Sequence, residues 1–345
     1  MLSMKKALIT GITGQDGAYL AEFLVSKGYE VYGMHRRTSG DVFERIGDIK
    51  DKIHLVDGDM TDTASLIRNL KEINPDEVYN LASQSFVPAS WSQAISTAEI
   101  TGVGVLKILE SIRLTNPKIK FYQASSSEMF GDVKEIPQTE KTPFSPQSPY
   151  GIAKVYGYWA TKHYRETYGM HASNGILFNH ESPKRGKQFV TRKVSHSVAK
   201  IKLGHQEYFE LGNLNAKRDW GYAGDFVEAM WLMLQKEEPG DYVIATGETH
   251  SIRELVEAAF EAVDMKITWE GEGLDEVGKV NGKIVVKTNE KFRRPAEVDI
   301  LLGDPKKAKE ELGWILKTNF KELIKMMVDS DLKHLQEYGL QPIDK

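Results

Sequence analysis

Along the first half of the chain, apolar residues arrive in short runs, and between the runs they recur every three or four positions. A short apolar run suits a strand buried on both faces, whereas the helical recurrence suits a helix that lays one stripe against a sheet. The pattern predicts strands at Lys6–Ile9, Glu30–Met34, Ile53–Asp57, Glu77–Ala82, Lys120–Ala124 and His171–Phe178. Helices fit between them: Gly17–Ser26, stopping at Gly28; Thr63–Glu72, ending before Pro75; and a long one over Gln93–Arg113. A proline-rich connection from Pro137 to Pro149 leads into a further helix that carries Tyr150 and Lys154. Strand and helix in alternation predict an α/β fold built on a doubly wound, mostly parallel sheet with crossover helices.

Beyond about Asn179 the alternation decays. Arg192–Leu203, Asp225–Lys236 and Ser251–Val263 read as helices, the last with Ser251 as its cap, and Asn281-Gly282 inside Val280–Val286 is a hairpin signal. With 345 residues the chain exceeds what one core usually organises. The expected division is a nucleotide-binding domain over 1–178, to which 221–247 return, and a smaller, interleaved α/β substrate-binding domain made of 179–220 and 248–345.

Composition narrows the function classes. Lys plus Arg (45) nearly balances Asp plus Glu (49), a net charge of −4, which argues against broad nucleic-acid or anionic-membrane binding. Local clusters of Arg and Lys therefore read as sites for small anionic ligands. The absence of cysteine excludes disulfides, thiolate metal sites and thiol nucleophiles. The apolar stretch after Lys5-Lys6 is too short for a secretory signal, and no run approaches the ~20 residues that cross a bilayer, so the expectation is a cytoplasmic protein.

Gly11-Ile12-Thr13-Gly14-Gln15-Asp16-Gly17 ends the first strand and opens the first helix. Glycines there permit a tight turn, close approach of a pyrophosphate, and helix–strand packing, while the helix N-terminus supplies N–H donors. The end of the second strand selects the dinucleotide: a carboxylate favours NAD, arginine favours the extra phosphate of NADP. His35-Arg36-Arg37-Thr38-Ser39 offers no acid before Asp41, which favours NADP. Asp59, after the third strand, is read as either an adenine contact or a cap for the next helix.

Lys154 follows Tyr150 by four residues on a helix, so both side chains share a face and the ammonium favours tyrosinate. Tyr150 can then accept a hydroxyl proton as hydride leaves the same carbon. Ser126, in Ser125-Ser126-Ser127-Glu128, would hold the reacting oxygen. Glu128 is an additional base, which simple alcohol oxidation does not require but removal of a proton beside a new ketone does. From these residues three readings stand: oxidation, elimination and reduction in one pocket; epimerisation or reduction at C4 of a nucleotide sugar; and a catalytically silent binder of NADP.

These residues also carry a resemblance. The chain resembles the extended short-chain dehydrogenase/reductases, which have a Rossmann nucleotide domain, and within them most closely the GDP-mannose 4,6-dehydratase family, from Lys6 to about Trp314. The stretches that carry it are Gly11–Gly17, Asn80–Ser85, Gln123–Gly131, Gly175–Pro183, Phe189–Lys193, Leu211–Trp220 and Arg294–Asp299. One departure is Ser126, where the family usually has threonine. The resemblance implies catalytic roles for Ser126, Glu128, Tyr150 and Lys154. It implies an NADP site made of Gly11, Thr13, Gly14, Gln15, Asp16, Gly17, Arg36, Arg37, Asp59, Met60, Leu81, Ser85, Tyr150, Lys154, His180 and Arg185. For the substrate, GDP-mannose, it implies Ser85, Ser126, Glu128, Asn179, Lys193, Arg218 and Arg294. It also implies a homodimer or homotetramer, and guanine specificity rests on it alone. His180 beside Glu181 has no clear third ligand, so no metal is expected.

Overall fold

The computed structural model describes residues 4–40, 42–292 and 300–340. The apolar runs of the first half form strands β1 (Lys6–Thr10), β2 (Glu30–His35), β3 (His54–Asp57), β4 (Glu77–Asn80), β5 (Lys120–Ser126) and β6 (Ala172–Leu177). Each expected strand is present to within two residues at either end. A further strand, Asp241–Ile244, joins them in a seven-stranded sheet with the order Asp241–Ile244, β6, β5, β4, β1, β2, β3, and every neighbouring pair is parallel. Every residue of β4 and β6 is buried, as helices on both faces of a parallel sheet demand. The winding reverses between β1 and β4, which opens a crevice at the carboxyl ends of those two strands.

Local chemistry explains where the helices stop and start. Asp62 caps Thr63–Ile73 by accepting from the Ala64 amide (3.0 Å), and Asn74 ends that helix at φ 46. Ser148 accepts from the Gly151 amide (3.0 Å) at the head of Pro149–Tyr168, Pro149 occupies the first turn, and Gly169 closes it at φ 65. Ser251 forms a capping box with Glu254. The long helix expected over Gln93–Arg113 is instead composite. A short helix, Val87–Ser92, precedes it; Ala94–Thr97 is α-helical, Ala98–Val103 forms a π-turn, and Gly104–Thr115 resumes the α-helix.

The chain forms two compact units. The first comprises Met1–Phe178, Ala223–Gly247 and Gly303–Leu316; the second comprises Asn179–Tyr222, Glu248–Leu302 and Lys317–Lys345. Gly303–Leu316, read from sequence with the smaller domain, packs in the first unit. There Trp314 is 1% exposed, its indole N–H donates to the Asp225 carbonyl (2.9 Å), and Phe226 meets its ring edge-on. Lys307 Nζ in the same segment donates to the Asp241 carbonyl (2.9 Å). The second unit packs helices Val190–Lys202, Ile252–Glu261 and Phe320–Tyr338 around Val194, Val198, Leu255, Phe260 and Met327. Its hairpin joins Val277–Val280 to Lys283–Thr288 through Asn281 and Gly282, at φ 49 and 77, the left-handed pair a tight hairpin turn requires. Among the described residues no helix is long and apolar enough to cross a membrane.

Candidate active site

In the first unit the glycine turn is defined by what cannot fit. Gly11 has φ +71, and a Cβ there would lie 2.9 Å from Cα and N of Ala82; a Cβ on Gly17 would lie 2.5 Å from the Gly11 carbonyl oxygen. The turn is thus seated directly on the segment leaving β4. The helix Gln15–Ser26 begins at Gly14 with no side-chain cap, which suits its first-turn N–H groups to an anion. Thr13 and Asp16 are half-buried and Gln15 is buried at this helix start.

Arg36 and Arg37 follow β2 directly and are exposed. Asp59 follows β3. Burial pushes its carboxyl up, but hydrogen bonds from the amide and hydroxyl of Thr61 (2.8 and 2.7 Å) and the charges of Arg36 and Lys107 outweigh that and hold it below the usual range. The capping role weighed for it belongs to Asp62. Met60 is buried against Gly104; Leu81 is half-buried and Ser85 exposed on the segment after β4.

The candidate catalytic residues lie where β5 ends. Ser126 is its last residue, and its Oγ accepts from the Glu128 amide (3.2 Å), tying the turn Ser127–Met129 to the strand. Glu128 is half-buried, while Tyr150 and Lys154 are 8% and 4% exposed. Gly151 explains how the helix reaches them: a Cβ on it would lie 2.7 Å from the Glu128 carbonyl oxygen. The start of that helix is therefore flush against the Glu128 turn. Lys154 Nζ lies 5.6 Å from the centroid of the Tyr150 ring and donates to the Ala124 carbonyl (2.7 Å). Burial brings its ammonium down to about 8, with Asp16 opposing.

A buried chain of uncharged groups stands behind Lys154. Gln123 Nε2 donates to the same Ala124 carbonyl (2.9 Å), Gln123 Oε1 accepts from Asn80 Nδ2 (2.8 Å), and Asn80 Oδ1 accepts from Thr10 Oγ1 (2.6 Å). Thr10 Oγ1 in turn accepts from the amides of Leu81 and Ala82, 3.1 Å each. Asn80 and Gln123 open two of the resemblance stretches, yet no residue-level reading assigned them a task. A side-chain amide in each of two adjacent strands that are buried almost throughout is the signal that could have found them.

The second unit carries the remaining candidates. Asn179 and His180 lie on a strand, Asn179–Glu181, that pairs in parallel with Trp220–Tyr222. Glu181 accepts from Thr191 Oγ1 (2.5 Å) and forms an ion pair with Arg185 (3.0 Å). Lys193 sits 3.5 Å from the centroid of Phe292; burial lowers its ammonium, with Glu210 opposing. Arg218 is 6% exposed and donates to the Lys217 carbonyl (2.8 Å). Arg294 lies outside the described residues. Arg192 was not singled out in the sequence. It is paired with Asp331 (2.6 Å), itself 1% exposed, and donates to the carbonyls of Pro183 and Arg185, so it organises the segment that bears Arg185.

Comparison with known proteins supplies the relatives of this arrangement. A family model described as GDP-mannose 4,6 dehydratase matches residues 8–327. A GDP-mannose 4,6 dehydratase of Drosophila melanogaster is 54% identical, covering 96% of this chain and 87% of the relative. Among solved structures, UDP-glucose 4-epimerase of Thermus thermophilus in complex with NAD superposes with a TM-score of 0.78 at 25% identity, covering 94% of this chain and 98% of the other. A dTDP-glucose 4,6-dehydratase of Bacillus anthracis in complex with NAD is similar in fold, with a TM-score of 0.80 at 21% identity, covering 96% and 98%.

Proposed function

The chain belongs to the GDP-mannose 4,6-dehydratase family, and we propose that it is an NADP-dependent hydro-lyase of nucleotide-sugar metabolism that converts GDP-α-D-mannose to GDP-4-dehydro-6-deoxy-α-D-mannose and water. The first unit holds the cofactor in this reading, and the second unit binds the sugar nucleotide. Support for a dinucleotide is the cradle at Gly11 and Gly17, which any Cβ would fill. Support for NADP over NAD is the exposed Arg36-Arg37 pair, with no acid between β2 and Asp41. If Arg36→Asp combined with Arg37→Ala left NADP affinity unchanged, the assignment to NADP would be wrong.

Gly11, Gly14, Gly17, Arg36 and Arg37 would hold NADP, which when bound would supply a hydride acceptor for C4 of the mannose ring and a hydride donor for C6. Ser126 Oγ holds the oxygen on C4 while Tyr150 takes its proton, and the Lys154 ammonium favours the phenolate that makes this possible. Glu128 removes the C5 proton, now acidic beside the C4 ketone, and the C6 hydroxyl leaves as water, giving a conjugated enone. A proton returned to C5 as C6 is reduced leaves a methyl group, and the balance is loss of one water. Asn179, Lys193, Arg218 and Arg294 are the candidate partners of the GDP moiety and sugar, and Arg185 and His180 are further candidates for the cofactor.

The observation that carries this reading is the Glu128 turn, bonded to Ser126 and abutted by Gly151 of the Tyr150–Lys154 helix. A 4-epimerase needs no such base. Incubation with GDP-mannose in deuterated water tests it: label at C5, loss of water and no accumulation of NADPH are expected. A product of unchanged mass would make the enzyme an epimerase, and no reaction would leave a silent binder.

Homo-oligomerisation and cytoplasmic residence belong to the same proposal. Support for the first is an exposed apolar row, Ile152, Tyr156 and Trp159, spaced to share one helix face. Trp159→Glu is expected to lower the mass measured by light scattering; an unchanged mass would remove that face from the interface.

A further inference from the structure

We infer that Thr101, carried by the π-turn Ala98–Val103, is a positioning residue that sets the loop Leu81–Ser85 and, through Ser85, the sugar nucleotide; the last link rests on the functional reading above. A π-turn is uncommon and unfavourable in an isolated helix, and such turns concentrate where function needs them. Here one turn touches three elements of the site. Thr101 is 1% exposed, and its Oγ1 accepts from the Gln84 amide and shares a hydrogen bond with Ser83 Oγ, both at 3.2 Å. Gly102 faces the helix of Tyr150 and Lys154: a Cβ there would lie 3.4 Å from the Ala153 carbonyl oxygen. Gly104, just after the turn, faces Met60, whose Cβ would be 3.0 Å from an added Cβ.

The extra residue in a π-turn rotates everything beyond it by roughly 100° about the helix axis. Gly104–Thr115 then keeps its own buried stripe of Val105, Ile108, Leu109 and Ile112, while Thr101 is aimed at the loop. A regular α-helix would have to give up one or the other. Without the Thr101 hydroxyl the Gln84 amide loses its acceptor, while Leu81 and Ala82, at the start of the loop, keep their bonds to Thr10.

The test compares Thr101→Val, which keeps the shape and removes the hydroxyl, with Thr101→Ser, which keeps the hydroxyl. In Thr101→Val the KM for GDP-mannose is expected to rise about tenfold, with faster amide exchange at Gln84. Thr101→Ser is expected to restore both. A merely structural defect would lower the active fraction and leave KM alone. The inference is overturned by wild-type KM in Thr101→Val, by equal damage in both variants, or by unchanged Gln84 exchange. Should Thr101→Val not fold, wild-type amide exchange decides, since an unprotected Gln84 amide contradicts the bond. Wild-type enzyme that leaves GDP-mannose untouched would count against the functional reading, while the exchange arm would still judge Thr101.

Discussion

The two units hold their candidate residues by different physics. In the first, positions are set by backbone contact and uncharged hydrogen bonds: glycines pressed against Ala82 and Glu128, and the buried chain from Thr10 through Asn80 and Gln123 to the carbonyl that Lys154 grips. In the second, ion pairs brace the segment around Arg185: Asp331 on Arg192, and Glu181 on Arg185. Neutral networks and close backbone contact define geometry to tenths of an ångström and are indifferent to salt. Buried ion pairs tolerate more displacement but fail sharply when one partner is lost.

The largest expected effect sharpens the role of the first unit. Glu128→Gln should lower dehydration and C5 exchange by about 10²–10⁴-fold with NADP binding retained, read by product mass and by deuterium at C5. Wild-type turnover in that variant would take Glu128 out of the chemistry. Next, Asp331→Ala should cost about 3–5 kcal/mol, because it leaves the Arg192 guanidinium without its buried partner. Denaturant unfolding is the measurement, and a loss under about 1 kcal/mol would mean the pair behaves as a surface bridge. Gly17→Ala should cost about 1–3 kcal/mol and weaken NADP binding, since its Cβ would meet the Gly11 carbonyl oxygen at 2.5 Å.

The smallest effects are in pH, and they fall in different pH ranges in the two units. Lys154 is held down to about 8 by burial, so the ammonium that supports Tyr150 is lost as pH rises through that value, and turnover should decline on the alkaline side. Because its folded value lies below its unfolded one, Lys154 makes folding more favourable as pH climbs from about 8 toward the ordinary lysine range. For Asp331, burial pushes the carboxyl up, but His196, Arg192 and Ser195 outweigh it and hold it below the usual range. The second unit should therefore keep that stabilisation above the ordinary carboxylate range and lose it as pH falls through the depressed value. A flat rate from pH 7 to 9.5, or acid unfolding unaltered by Asp331→Asn, would erase the contrast.

Legibility followed the same line. The parallel sheet could be read because strands buried on both faces are unbroken apolar runs, and the glycine turn because few residues other than glycine tolerate φ +71. The composite helix could not. Gly102 and Gly104 interrupt the apolar recurrence across Gln93–Arg113, but glycine in a helical pattern does not by itself distinguish a π-turn from a kink or a close packing contact. Arg192 was equally hidden: in Thr191-Arg192-Lys193 two adjacent cations look alike, and only Asp331, 139 positions later, distinguishes the one that organises from the one that lies over Phe292.

The positions of six of the seven sheet strands along the chain, the glycine cradle and the residue types available for proton transfer were determined by the sequence itself, because periodicity, glycine's φ range and four-residue helical spacing are local properties. Tertiary structure alone decided that Gly303–Leu316 completes the first unit, that Lys154 is desolvated against Ala124, and that Thr101 reaches Gln84. Those outcomes depend on which surfaces meet after the chain has closed on itself, and burial and hydrogen-bond partners come into being only then.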